Sequence, residues 1–296
     1  MGSDFYELLC HPLKERGRCL HDSDEFSGSL LPLLVCEAIS GDFRVALPAA
    51  AAVEFLAAAG DVIDDIEDQD YEGALWRVYG QAQAVNAATA LLAFARAEIR
   101  RLEQRGVAAD VILRVMDTFD AAIIKACSGQ YYDLVYENKI DISEDMYFQM
   151  VASKSAPLAE SACSIGAMLA TDDQQIIASF SQFGHNFGIA AQIDDDIHSL
   201  MDTGGGKSDI KRRKKTLPVI YGLAHCRGSE REFLAEVYSE KASITPEIEN
   251  RVREILVHSG GIHYSLIMAE VYRQKALKAL QETGIPTERL QSLIVS

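Results

Sequence analysis

The sequence predicts an all-α protein, a bundle of long helices in a single domain. Three observations lead there. Apolar residues recur at helical spacing through long Ala- and Leu-rich segments, the breaks between those segments are short, and no series of segments alternates apolar and polar residues as strands do.

In chain order, the helical pattern covers residues 49–66, 85–102, 111–136, 146–169, 176–200 and 262–280. The first segment begins beside Pro48, and proline suits a first helical turn because its missing N–H is one that turn leaves unpaired. Alanines there lie on more than one face, which permits close packing around a central cavity or in a solid core. Turn signals fall at Gly28, Ser40-Gly41-Asp42, Gly106, residues 138–143, Thr171-Asp172-Asp173, residues 203–206 and Gly284-Ile285-Pro286. Each is too short for a linker, so residues 1–296 are read as one domain.

With 44 carboxylates against 28 Lys and Arg, the formal charge is −16, which excludes nucleic acid as a general partner because phosphate backbones are held by clustered cations. Six of those cations are concentrated between Lys207 and Lys215, so an anionic ligand is expected to meet that segment. The six cysteines show no C-x-x-C spacing and the N-terminus has no signal-peptide pattern; both point to reduced thiols in the cytoplasm. No eighteen apolar residues run without a charge, so no membrane span is expected.

Two acidic clusters carry the chemistry. In Asp64-Asp65-Ile66-Glu67-Asp68 a helix stacks Asp64 over Asp68 with Asp65 alongside, and Asp194-Asp195-Asp196 again ends a long apolar segment. A solvated helix end explains one such cluster. Two are harder to explain so, because negative charge at a helix C-terminus is disfavoured by the macrodipole. Mg²⁺ removes that penalty: it takes carboxylate oxygens, keeps waters and completes its shell with phosphate. Asp64, Asp65, Asp68, Asp195 and Asp196 are therefore candidate metal residues, with Lys154, Lys207, Lys214 and Lys215 as candidate cations for a diphosphate. Gln130 and Gln192, polar within apolar helices, are either satisfied core amides or substrate contacts.

These segments, in this order, resemble the trans-isoprenyl diphosphate synthases of the class I isoprenoid synthase fold. The resemblance runs through Leu30 to Ala38, Asp64 to Asp68, Gly129-Gln130-Tyr131-Tyr132-Asp133, Lys154-Ser155, Gln192 to Asp196 and Lys214-Lys215-Thr216-Leu217-Pro218. It implies a bundle around a deep cavity, three Mg²⁺ ions, an allylic prenyl diphosphate substrate and a homodimer. By the same resemblance, Asp64, Asp68 and Asp195 hold metal, Asp65 and Asp196 support it, and Lys154, Lys207, Lys214 and Gln192 act on the departing diphosphate. Small residues at Ala59 and Gly60, just before the first aspartate, imply room for a chain of fifteen carbons or more.

The departures are systematic. Chain-elongating members hold isopentenyl diphosphate with a Gly-Gly-Lys-Arg-x-Arg-Pro segment, yet its Lys and second Arg fall here on Gly28 and Leu31. Ala57 stands where a His or similar group helps, Gly73-Ala74 replaces an Arg-Arg pair, and Ser199 replaces the last aspartate of the second motif. The expectation is therefore an enzyme that ionises the allylic diphosphate and either cyclises it or passes it to another acceptor. Two branches are similar in this respect: the synthase-like terpene synthases and the ComQ-type pheromone prenyltransferases. One alternative is ordinary elongation, with Arg77, Lys14 or Arg16 replacing the missing cations; a second is an inactive regulatory subunit of a heteromeric synthase.

Overall fold

The computed structural model describes residues 2–15, 17–21, 26–69, 73–137, 139–202, 208–239 and 244–295. The turn expected at 203–206, together with Arg16 and the candidate cation Lys207, lies outside them. Among the described residues there are fifteen α-helices and three short 3-10 turns, with no strand, so the fold is all-α.

Helices form at Leu47–Glu67, Gln81–Arg100, Ala109–Glu137, Gln174–Met201 and Gly261–Glu282, where the hydrophobic pattern placed them. The segment expected as one helix over 146–169 is instead two, Glu144–Lys154 and Ala156–Met168. Ser155 closes the first of them at φ −101° and ψ −40°. Pro157 marks that break in the sequence, although the apolar spacing runs across it: it has no N–H to donate to the Ser153 carbonyl, and its ring crowds that carbonyl.

The chain divides into two compact units. One comprises Met1–Ala122, Leu158–Gly184 and Leu277–Ser296; the other comprises Ile123–Pro157 and His185–Ala276.

In the first unit, Leu47–Glu67 packs chiefly against Gln81–Arg100. Ala84, Ala87, Ala88 and Leu91 follow i, i+3, i+4, i+7 spacing and share one apolar cluster with Ala58, Ala59 and Val62. Leu8, Leu9, Leu13 and Leu75 complete it. Small side chains on both helices let the backbones approach, and burying the surrounding leucines contributes about 1.5–3 kcal/mol each. The stretch Arg44–Glu67, whose most apolar eighteen-residue window has mean hydropathy 1.6, is by length and composition alone long and apolar enough to cross a membrane. The Glu54 charge interrupts the run without lowering its mean enough. A core helix has the same composition, and 56% of its most apolar window is buried in this unit.

The second unit holds two apolar clusters. One gathers Tyr147, Val151, Ala156, Ile189, Ile193 and Leu217; the other gathers Leu200, Ile210, Val219, Leu234, Tyr238, Val252 and Leu256. The Gln174–Met201 helix contributes to both, with Ile189 and Ile193 in the first and Leu200 in the second.

Candidate active-site residues

In the first unit, Asp64 and Asp65 lie in the last turn of Leu47–Glu67 and Asp68 is its C-cap, its N–H donating to the Asp64 carbonyl at 2.8 Å. That turn contains no basic residue, so nothing on the helix offsets the like charges. Asp65 is buried, while Asp64 and Asp68 are half-buried. Gln69 then turns left-handed at φ 54° and ends the helix. One turn earlier, Asp61 is paired with Arg18, whose Nε donates at 3.0 Å.

The positions where acceptor-side cations were missed are also in this unit. Leu31, Ala57 and Ala74 are buried. Nearby Ser27, Ser29 and Glu54 are buried and mutually bonded: Glu54 accepts from the Ser27 hydroxyl at 3.0 Å and from the Cys19 backbone N–H at 2.9 Å. Arg77 stacks its guanidinium over Trp76, 4.0 Å from the ring centre. Ala59 is packed in the apolar cluster. Gly60 faces open space, where a Cβ would meet nothing within 4 Å, so helix packing does not demand a glycine there.

The second unit brings the candidate cations together. Lys154 Nζ donates to Asp133 Oδ2 at 2.6 Å, and Lys214 Nζ donates to the same oxygen at 3.3 Å. Gly129 explains how Lys154 gets there: a Cβ on it would fall 2.2 Å from the Lys154 backbone nitrogen. Only a glycine permits that approach, and Asp133 is one helical turn further on. Lys214 follows Arg213, which is left-handed at φ 57°, and the Lys214 N–H donates to the Asp209 carbonyl at 3.0 Å.

The acidic end of Gln174–Met201 divides three ways. Asp194 is engaged by Arg273. Asp195 is exposed, yet its carboxyl is pushed up to about 6, first by desolvation against the surrounding protein and then by the Asp194 charge. Because its surface reaches solvent, water screens part of that effect. Asp196 is buried: Tyr147 donates its hydroxyl to Oδ2 at 2.6 Å, and the Gln192 amide donates to Oδ1 at 2.8 Å. Its carboxyl is raised to about 7 by burial and then by the Asp209 charge, although both hydrogen bonds favour the ionised form. Gln192 in turn accepts from the Ser155 hydroxyl. The helix break at Ser155 thus places a hydroxyl under the amide that holds Asp196.

Lys215 does not join this group. It is buried, and its Nζ donates to the backbone carbonyls of Glu137 at 2.5 Å and Tyr238 at 3.5 Å. Gln130 has both amide atoms buried and without a hydrogen-bond partner among the described residues. Among those residues no group of three or more His, Cys, Asp or Glu is arranged as a prebuilt metal cage. The donors fit Mg²⁺ all the same, since carboxylates are hard oxygen ligands and this ion uses one or two of them with waters and substrate phosphate rather than an all-protein cage.

Residues 28–255 match the family described as polyprenyl synthetase. The chain belongs to the polyprenyl synthetase family. A geranylgeranyl diphosphate synthase of Sulfolobus acidocaldarius is 32% identical over 97% of this chain and 88% of its own. The tryptophan prenyltransferase ComQ of Bacillus subtilis is 26% identical over 83% of this chain and 78% of its own. Among solved structures, a geranylgeranyl pyrophosphate synthetase from Pyrococcus horikoshii superposes with a TM-score of 0.84 at 27% identity, covering 98% of this chain and 88% of that one. The trans-prenyl diphosphate synthase fold and an enzymatic role in prenyl transfer follow from this polyprenyl synthetase membership.

Three residues that contact the candidate residues were given no role by sequence reasoning. Asp133 carried a signal, since it lies four residues after Gly129 and so on the same helix face. Tyr147 lies seven residues before Lys154, two turns along one helix. Arg273 had no local signal, because its partner Asp194 is 79 positions away.

Proposed function

We propose that this chain, acting as one catalytic domain over residues 1–296, is a Mg²⁺-dependent enzyme that ionises an allylic prenyl diphosphate. The observation that carries it is the convergence of Lys154 and Lys214 on Asp133, in the same unit as Asp195 and Asp196. Two ammonium groups brought together concentrate positive charge, and a departing diphosphate is a ligand whose charge they suit. Asp64, Asp68 and Asp195 are the proposed metal ligands, supported by the buried Asp65 and Asp196, with three ions expected. Bound Mg²⁺ supplies charge neutralisation on the phosphate oxygens as the C–O bond breaks. Gln192 orients Asp196 through its amide, Gln130 is a substrate contact, and Lys207 joins Lys154 and Lys214 in neutralising the leaving group. Lys215 holds carbonyls instead. Ala59 and Gly60 are assigned to the prenyl chain, fifteen carbons or longer. The enzyme is taken as a cytoplasmic homodimer, and the cytoplasmic part suits its six unbridged cysteines.

For the fate of the carbocation, the names of the relatives favour chain elongation with isopentenyl diphosphate over the other acceptors expected from sequence. A second reading, cyclisation or transfer to a different acceptor, is favoured by one observation: Leu31, Ala57 and Ala74 are buried and apolar where an elongating site needs cations. The resemblance to ComQ is in line with it. The test is incubation with geranyl, farnesyl and geranylgeranyl diphosphates, each with and without isopentenyl diphosphate. Product only when both diphosphates are present establishes elongation. Diphosphate release without isopentenyl diphosphate establishes the second reading, and no release from any substrate overturns the ionising role.

A further inference from the structure

Lys214 stands between two residues that turn away from it. Both reach the end of Gly228–Ser239: Arg213 Nε donates to the Val237 carbonyl at 2.8 Å, and Lys215 Nζ donates to the next carbonyl, that of Tyr238, at 3.5 Å. Lys215 also donates to the Glu137 carbonyl at 2.5 Å. Glu137 is the last residue of Ala109–Glu137, one helical turn beyond Asp133, and Asp133 is where Lys214 goes. Neighbouring lysines thus hold successive turns of one helix, the first by a side chain and the second by the backbone. The course of the chain suits this. It leaves a left-handed turn at Arg213, φ 57°, and is extended at Thr216, φ −69° and ψ 161°, before the next helix starts. In extended backbone, residues i and i+2 face one way and i+1 the other. Lys215 does not serve stability at neutral pH. It is 6% exposed, and burial lowers its ammonium to about 8, the Glu137 charge opposing and the Arg213 charge adding, so below that pH its charge sits where charge is disfavoured. An ion kept at a loss of stability marks a place where position matters more.

We propose that Arg213 and Lys215 are positioning residues: tied to the ends of two helices, they fix the backbone between them so that the Lys214 ammonium is held at Asp133. This rests on the ionisation reading above, in which Lys214 neutralises the departing diphosphate. When the C–O bond breaks, its electron pair leaves with the diphosphate. With both flanks of Lys214 anchored, the cation stands in a fixed place as that charge develops, and none of the reaction's free energy goes into ordering the loop. The anchors act through Lys214 alone and touch neither the carbon nor the leaving oxygen.

The test is a double-mutant cycle on diphosphate release from the wild type's preferred allylic substrate, run also under single-turnover conditions so that large losses stay measurable. Lys215→Met keeps the apolar stem and removes the ammonium; kcat is expected to fall roughly 10-fold, with KM moving less than about 3-fold. In a Lys214→Met background the same change should cost less than about 3-fold, because the lysine through which it acts is gone. An equal fall in both backgrounds, or wild-type kcat in Lys215→Met, overturns the proposal. Far-UV circular dichroism and the unfolding midpoint are followed throughout. If Lys215→Met loses helix, the cycle is run with Arg213→Asn, which removes the other anchor and leaves a residue that tolerates the left-handed turn. A fall that vanishes without Lys214 supports the anchoring; one that persists, or no fall at all, overturns it. Lys214→Met with undiminished turnover would sink the diphosphate role of Lys214 itself, whereas an impaired Lys214→Met with additive effects of Lys215→Met sinks only the anchors.

Discussion

Lys214 and Lys215 are neighbours in a run of cations, and the structure sends them in opposite directions. Lys214 goes to Asp133, whereas Lys215 turns inward to carbonyl oxygens and lies 5.8 Å from the centre of the Tyr238 ring. Burial lowers the Lys215 ammonium from its usual 10.5 to about 8, only partly opposed by the Glu137 charge. The sign of the consequence is fixed. Between about pH 8 and 10.5 the unfolded chain holds a proton that the folded protein has released, so this lysine makes stability rise with pH across that window. The contribution is lost as pH falls through about 8, and its full span is on the order of 3 kcal/mol. Urea unfolding at pH 7.5, 9 and 10 should therefore show wild type gaining on Lys215→Met as pH rises; a constant difference would contradict the buried, charge-disfavouring seat. Sequence could not separate these two lysines, because the left-handed turn at Arg213 decides which one faces the site and nothing in a run of five polar residues marks it. The aspartates were easier to read. Asp64 and Asp65 stand at the end of an apolar helix, so their position follows from periodicity alone, while the tie between Asp194 and Arg273 depends on a contact across 79 residues.

At the scale of elements, two helical glycines test how the framework sets the site. Gly129 in Ala109–Glu137 and Gly60 in Leu47–Glu67 look alike in sequence, and on propensity alone each costs about 0.5–1 kcal/mol relative to alanine. Their surroundings differ. A Cβ at position 129 would fall 2.5 Å from both the Lys154 Cα and the Ser153 carbonyl carbon, which are backbone atoms and cannot swing aside, whereas position 60 is open. Gly60→Ala should raise stability by about 0.5–1 kcal/mol, and Gly129→Ala should lower it by about 1–3 kcal/mol while displacing Lys154 and cutting activity. Thermal unfolding and turnover measured side by side check both, and equal behaviour of the two variants would mean that the close approach is not what glycine serves. Long helices were legible because their apolar spacing runs for many turns. The break at Ser155 was overrun by that same spacing although Pro157 marks it, since a proline there cannot donate to the Ser153 carbonyl; the contacts that Gly129, Gly188 and Gln192 make with residues 153–156 lie elsewhere in the chain and could not be read.

For the molecule as a whole, a charge of −16 is a standing repulsion that a divalent cation relieves, but relief by bulk charge and relief by a built site make different demands. Nonspecific screening needs only the cation. The proposed metal role of Asp64, Asp65, Asp68, Asp195 and Asp196 and the proposed diphosphate role of Lys154 and Lys214 instead require metal and diphosphate together, since Mg²⁺ completes its shell with phosphate oxygens and lysine pairs with phosphate. A ligand at a hundred times its Kd that binds only the folded state adds about 2.7 kcal/mol. At roughly 2–4 °C per kcal/mol for a domain a little smaller than this one, that is a rise on the order of 5 °C. MgCl₂ alone and sodium diphosphate alone should each shift the unfolding midpoint little, and their combination should shift it by more than the two separate effects added. Asp64→Ala should abolish the excess while keeping the small shift from Mg²⁺ alone, because one carboxylate in 44 hardly alters the bulk repulsion. A midpoint that tracks Mg²⁺ regardless of diphosphate, or an excess that survives Asp64→Ala, would assign the effect to overall charge and remove the metal role given to the first acidic cluster.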